Sequence, residues 1–250
     1  MTQPKSNTSV EALLLDIEGT TTPIDFVYRV LFPYAKNHAR NYLSDHRWLP
    51  AVLDDISGLI EENASDAKQG NEPPLILGSA TNASVDEIAN YVSWLIDRDR
   101  KTTALKSLQG KIWDEGYQKG DLRGIVYEDV PRAFERWRKQ GKRIYIYSSG
   151  SVLAQKVLFG NTEAGDLTHS ISGYFDTDIG AKKESESYRR IAEGLALQPL
   201  SLMFVSDVVD ELDAAATVGF QTVLCVRPGN PQQRPNSAHE ISTTFDELFP

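Results

Sequence analysis

Two carboxylates one residue apart, Asp16 and Glu18, directly follow the apolar run VEALLLD. At the end of a strand such a pair can divide labour, one as nucleophile and metal ligand, the other as proton donor and acceptor. Gly19 allows a tight exit, and Thr20, Thr21 and Thr22 offer hydroxyls. Ser148 and Ser149 follow a second apolar run, RIYIYS, and precede a helical pattern. Hydroxyls and N–H groups at a helix start suit an anion, although a plain N-cap uses the same residues. Lys182 and Lys183 lie just before another helical pattern, where one ammonium can face a phosphate oxygen; spacing does not choose between them. Asp207 ends a third run, LMFVSD, and Asp210, Glu211 and Asp213 come after it. Asp16 and Asp207 on neighbouring strand ends would give Mg²⁺ two hard oxygen ligands. First-turn placement in the field of a helix dipole accounts for Asp213, and is the preferred account of Asp210 and Glu211. In chain order the parts are a carboxylate pair, a hydroxyl, a lysine and a carboxylate. Those parts can move a phosphoryl group onto Asp16, with Lys182 and Mg²⁺ offsetting the charge on its oxygens.

The elements that must hold these residues are legible as periodicity. Val10–Asp16, Arg143–Ser148, Leu202–Asp207 and Gln221–Val226 are short apolar β-rich runs, as expected of parallel strands buried on both faces. Tyr174–Ile179 reads as a weaker edge strand. Helical patterns at Asp129–Gln140, Ser151–Phe159, Glu184–Leu195 and Asp210–Val218 alternate with the strands, and Gly141 and Gly219 mark helix ends. The alternation predicts an α/β fold, a doubly wound and mainly parallel sheet, with the candidate residues at the carboxyl ends of its strands.

Between the first and second strands the chain is far too long for one crossover helix. Helical patterns fill it at Phe26–Leu43, kinked near Pro33, and at Leu49–Asn63, Val85–Arg100 and Thr103–Lys119. Polar loops separate them near 66–74 and 120–124. The expected organisation is a catalytic core over 1–19 and 126–250 and an inserted helical cap domain over 20–125. Trp113 and Tyr117, four apart, read first as core of the helical bundle, and as a roof over the substrate second. Lys106 and Arg123 read as exposed basic residues, with a phosphate or carbonyl contact as the alternative. After Val226 the chain reads as a Pro-rich loop, RPGNPQQRP, that finishes in a short helix.

Composition removes several classes of function. Of 250 residues, 26 are Lys or Arg and 35 are Asp or Glu, a net charge of −9. Such a chain repels nucleic acid and anionic membrane, so neither is an expected partner. Hydrophobic residues make up 40%, and no apolar run reaches the length of a spanning helix. The start of the chain lacks the apolar stretch of a signal peptide. A single cysteine, Cys225, cannot form an intrachain disulfide and fits a reducing, cytoplasmic setting; inside an apolar strand pattern it reads as an inert buried thiol. The four histidines are scattered without the spacing of a helical zinc site, and no nucleotide-binding glycine motif follows a strand.

The ordered parts resemble the haloacid dehalogenase superfamily of aspartate-nucleophile phosphatases, with Glu18 in place of the second Asp of its D-x-D motif. The longer runs LLLDIEGTTTPIDFVYRVLFPYA, LKSLQGKIWDEGYQKGDLRG, YSSGSV, KKESESYRRIA and FVSDVVDELDAA resemble, within it, the enolase-phosphatases of methionine salvage. This resemblance spans about Val10 to Asn230 and implies residue roles. Asp16 would be nucleophile and metal ligand. Glu18 would be acid and base, and would bind the metal through its main chain. Ser148 and Ser149 would hold the substrate phosphate beside a catalytic Lys182, preferred over Lys183, and Asp207 would complete a site for one Mg²⁺. The implied substrate is 2,3-diketo-5-methylthiopentyl-1-phosphate, converted through an enol phosphate to an acireductone and phosphate. The implied state is a monomer in the cytoplasm, and in the nucleus as well in a eukaryote. Three alternatives stay open: a sugar-phosphate phosphatase of the same superfamily, a receiver-type signalling domain and a non-catalytic binding module. A receiver domain would carry its Asp on a middle strand and lack the insertion. An intact set of candidate residues argues against the binding module.

Overall fold

Among the described residues, six parallel strands form one sheet in the order β3-β2-β1-β4-β5-β6. They are β1 (Ala12–Leu15), β2 (Arg143–Tyr147), β3 (Gly173–Phe175), β4 (Leu202–Ser206), β5 (Gln221–Cys225) and β6 (Glu240–Ser242). The computed structural model describes residues 10–230 and 238–250. It divides into two units: the described parts of Met1–Ile24 with Gly124–Pro250, and Asp25–Arg123. All of β1 and β4 is buried, as continuous apolar runs covered on both faces require. β1 lies between β2 and β4, with Ala12 opposite both Arg143 and Leu202. The strand order therefore reverses at β1, and the crevice at such a switch point is where ligands bind on open α/β sheets.

The unit Asp25–Arg123 is all helix and loop. A short α1 (Ile24–Phe26) opens into a π-helical turn at Val27–Leu31 and then α2 (Phe32–His46). The break expected near Pro33 takes the form of this wider turn, in which the Phe32 N–H donates to Val27 O. Pro33 has no N–H to give, and its ring would crowd the carbonyl one α-turn back. Then come α3 (Pro50–Lys68), α4 (Val85–Ile96) and α5 (Thr103–Lys119). Ser84 caps α4 by accepting from the Asp86 N–H at 3.2 Å.

Several boundaries in this unit differ from the sequence reading. α3 runs past Asn63 to Lys68, and α4 stops at Ile96 short of Arg100. Asp66, which reads as the start of a polar loop, is here buried and paired, as is Asn63 at the expected helix end. Asn63 donates to Pro74 O at 2.8 Å, and Asp66 accepts from Tyr91 Oη at 2.6 Å and from Arg100 at 3.1 Å. Trp113 is core: it is buried, its Nε1 donates to Leu31 O at 2.8 Å, and it stacks on Phe32. Tyr117 is buried too. Arg123 is exposed, but Lys106 is 6% exposed, so its reading as a surface lysine is corrected.

The helices α6 (Asp129–Lys139), α7 (Val152–Gly160), α8 (Ser185–Gly194) and α9 (Val209–Val218) complete the α/β unit. Tyr188 meets Phe204 at 5.1 Å and Phe220 at 5.7 Å in one cluster. Trp137 packs between Phe134 and Phe245 in another. Each fully buried aromatic contributes on the order of 2–3 kcal/mol. The edge strand lies at Gly173–Phe175 and is shorter than expected. The end of the chain forms β6 and a 3₁₀ turn, Phe245–Glu247, where a short helix was expected. Most of the Pro-rich segment lies outside the described residues. Among those described, no helix is long and apolar enough to cross a membrane.

Candidate active site

β1 delivers Asp16 to the switch point, and the chain then turns sharply. The N–H groups of Thr20, Thr21 and Thr22 all donate to Ile17 O, and Gly19 N–H donates to Thr22 O at 2.8 Å. Thr21 Oγ1 closes back on Asp16 O at 3.0 Å. Gly19 sits at φ 75°, and a Cβ there would collide with the Asp207 carboxylate, so only glycine fits. Asp207 follows β4 directly and is 5% exposed; Asp16 is 2% exposed.

Lys182 joins these groups. Its buried Nζ donates to Asp16 Oδ1 at 2.5 Å and to Glu211 Oε2 at 2.7 Å. Tyr188 Oη donates to Lys182 O at 2.7 Å, and the ammonium lies 5.8 Å from the Tyr147 ring. Lys183 instead points outward to Asp210 at 3.0 Å, with its side chain 63% exposed. Spacing left these two lysines equivalent, and burial separates them.

Ser148 is buried, and its hydroxyl makes a long 3.5 Å contact to Glu18 Oε2 while accepting from Gly150 N–H at 3.1 Å. Ser149 follows it, half-buried. The start of α7 is partly occupied by the protein's own oxygens. Ser151 Oγ accepts from Ala154 N–H, and Asp176 Oδ2 accepts from Val152 N–H at 3.1 Å.

Glu211, which sequence reasoning put down to helix-dipole placement, and Asn230, which it passed over, belong to this corner. Glu211 is buried and accepts from both Lys182 and Ser206 Oγ, the latter at 3.0 Å. Helix-dipole placement explained its position without requiring burial. Asn230 Nδ2 donates to Gly19 O at 2.9 Å and to Asp207 Oδ2 at 3.3 Å. No signal distinguished it within a loop rich in Pro and Gly.

The charge balance is unfavourable as it stands. Four acids, Asp16, Glu18, Asp207 and Glu211, gather around one ammonium. Burial, reinforced by the other carboxylates against the pull of Lys182, holds Asp16 well above the usual carboxylate range. The same causes push Asp207 up to about 7. A divalent cation is what such a pair accommodates, because it rewards the ionised form that burial opposes. The donor set is hard oxygen: two carboxylates and the Glu18 carbonyl, on which none of the turn's backbone hydrogen bonds ends among the described residues. Those residues contain no group of three His, Cys, Asp or Glu side chains placed to hold a metal, and a set with one main-chain member does not need one.

Other titratable groups stand apart. Burial pushes the Cys225 thiol up to about 12, as an inert thiol requires. The helical unit has a polar cavity of about 230 Å³ lined by Tyr34, His38, Tyr42 and Glu115, among others. None of the expected site residues lines it.

Comparison with known proteins gives the family. The model of the haloacid dehalogenase-like hydrolases matches residues 10–219. Enolase-phosphatase E1 of Synechococcus elongatus is 51% identical over 240 residues, 96% of this chain and 98% of that one. The protein of that name from Drosophila melanogaster is 46% identical over 220 residues, 88% of this chain and 84% of its own. Among solved structures, UTR4 protein from Saccharomyces cerevisiae superposes with a TM-score of 0.74 at 33% identity, covering 96% of this chain and 100% of that one.

Proposed function

Because the chain belongs to the haloacid dehalogenase-like hydrolases and, among them, to the enolase-phosphatases, we propose that it converts 2,3-diketo-5-methylthiopentyl-1-phosphate to an acireductone and phosphate. The observation that carries this reading is the buried Lys182 between Asp16 and Glu211, beside Asp207 on the next strand. One Mg²⁺ per chain would be held by the Asp16 and Asp207 carboxylates and the Glu18 carbonyl, supplying Lewis-acid charge and favouring the ionised form of both aspartates.

Glu18 takes the carbon-bound proton beside the carbonyl while the carbonyl oxygen gains a proton from solvent, which gives the enol phosphate and leaves Glu18 protonated. Its carboxylate is one methylene longer than the Asp usual at this place, which extends its reach to carbon. Asp16 then attacks phosphorus, and the bond to the enediol oxygen breaks. Glu18 protonates the leaving oxygen, and next takes a proton from the water that hydrolyses the aspartyl phosphate. Lys182 offsets charge on the phosphoryl oxygens, while Ser148 and Ser149 hold the phosphate through their hydroxyls. The remaining expectations belong to the same reading: a core over 1–19 and 126–250, a cap over 20–125, a cytoplasmic monomer, and no nucleic-acid or membrane partner.

The test is turnover of the diketo phosphate with Mg²⁺, following enediol absorbance and phosphate release together. Both signals should appear, and both should vanish with a chelator. Phosphate without enediol would make the protein a plain phosphatase; neither signal would refute the reading.

A further inference from the structure

One four-residue turn grips the nucleophile loop from behind at two points. In Arg227–Pro228–Gly229–Asn230 the Asn230 N–H donates to Arg227 O at 3.2 Å, with Gly229 at φ 88°. Pro second and a left-handed Gly third define a type II turn, which places its first and fourth residues side by side. From the first position, Arg227 Nε donates to Thr20 O at 3.1 Å. From the fourth, Asn230 donates to Gly19 O and to Asp207 Oδ2.

The turn is itself firmly anchored. Arg227 Nη1 donates to Asp129 Oδ2 at 2.6 Å and to Thr243 O at 3.3 Å. Its guanidinium lies 4.4 Å from the Tyr127 ring and 4.7 Å from the Phe245 ring. Asp129 Oδ2 also accepts from Thr244 Oγ1 at 2.8 Å and from Phe245 N–H at 2.5 Å. Asn230 is thus the end of a rigid arm. An amide NH₂ has two N–H groups, and the two contacts of Asn230 match them: one to the turn that carries Glu18, one to the carboxylate on the neighbouring strand.

We infer that Asn230 is a positioning residue for cation binding: it fixes the Asp207 carboxylate and the Gly19 end of the nucleophile loop relative to each other. This rests on the reading above that Asp207 and Asp16 hold a divalent cation. A donor on one carboxylate oxygen sets the group's orientation without taking a place at the metal, and removing such a donor costs roughly 10–100-fold in affinity. Asp207 accepting only from water would have to be ordered by the metal itself.

The test is titration with Mn²⁺ alone, read by electron paramagnetic resonance, with thermal unfolding of each metal-free variant alongside. Asn230→Ala should raise the Mn²⁺ Kd about tenfold. Gly229→Ala should act in the same direction without removing a polar group, because a methyl there meets no neighbour among the described residues and disturbs the left-handed backbone. Thr162→Ala loses a buried bond to Gly165 O in the same unit, away from the turn's anchors, and should lower the unfolding midpoint while leaving the Mn²⁺ Kd unchanged. A wild-type Kd in Asn230→Ala overturns the inference, and so does an equal shift in Thr162→Ala. Asp207→Asn separates the two levels. If it loses Mn²⁺ while Asn230→Ala does not, the inference alone fails. If it binds Mn²⁺ as the wild type does, the cation reading fails and takes the inference with it.

Discussion

Each unit of the molecule buries a carboxylate among polar partners, and the two are treated oppositely. In the helical unit Asp66 is 2% exposed, but Tyr91, Asn71 and Arg100 all donate to it, and Arg100 also pairs with Glu62. Burial pushes Asp66 up, yet the hydrogen bonds outweigh it and hold its carboxyl below the ordinary value. In the α/β unit Asp16 is equally buried, and its one strong partner is a lysine shared with Glu211. There burial wins. A satisfied network stabilises a fold, whereas an unbalanced one stores affinity for something the chain does not supply.

The strongest way to break this contrast is Asp16→Asn. Turnover should fall by about 10⁴-fold or more, since a nucleophile is lost. The metal-free unfolding midpoint should stay at or above that of the wild type, because one of four crowded acids is neutralised. A large loss of stability would mean that the corner is balanced after all. Lys182→Met should next cost about 100-fold or more in turnover and about 3 kcal/mol in stability, by leaving buried carboxylates without their cation. Chemical denaturation beside a phosphate assay reads both.

Asp66→Asn should do the reverse, losing about 2 kcal/mol of stability with turnover within about twofold of the wild type. Its pH dependence carries a sign. A folded value held below the unfolded one stabilises above the unfolded carboxylate value of about 4, and that gain disappears as pH falls through the lower folded value. The stability gap between the wild type and Asp66→Asn should therefore be full at pH 7 and close in acid, as denaturant titrations across that range would reveal. The smallest effect belongs to Cys225. With its thiol raised to about 12, iodoacetamide at pH 8 should leave the folded protein unlabelled and modify it only on unfolding. Labelling of the native protein would show that the sheet opens there.

The sequence displayed most of the sheet because both faces of a central parallel strand are covered, which forces an unbroken apolar run. β6, Glu-Ile-Ser with Ile241 58% exposed, has no such constraint and left no pattern. Asp16, Ser148 and Asp207 were legible because each directly follows a strand, whereas Lys182 lies just before α8 and was told from Lys183 by the resemblance and not by spacing. Glu211 and Asn230 were not legible, because their significance depends on burial and on a partner far along the chain. Lys106 and the extended α3 erred the same way: polar side chains that propensity sends to the surface were paired inside.

The insertion point of the helical unit also shapes how the chain must assemble. β1 is the first of the described strands and, with β4, one of the two at the centre of the sheet, yet its partners β2 and β4 arrive only after the whole Asp25–Arg123 stretch. During synthesis the helical unit can close on local contacts, while Leu13, Leu14 and Leu15 wait unpaired. The strand that leads into Asp16 is thus the one that needs the longest loop closure before its apolar surface is covered. Refolding yield should accordingly be limited by β1, and a chaperone that binds extended apolar segments would find its best target there.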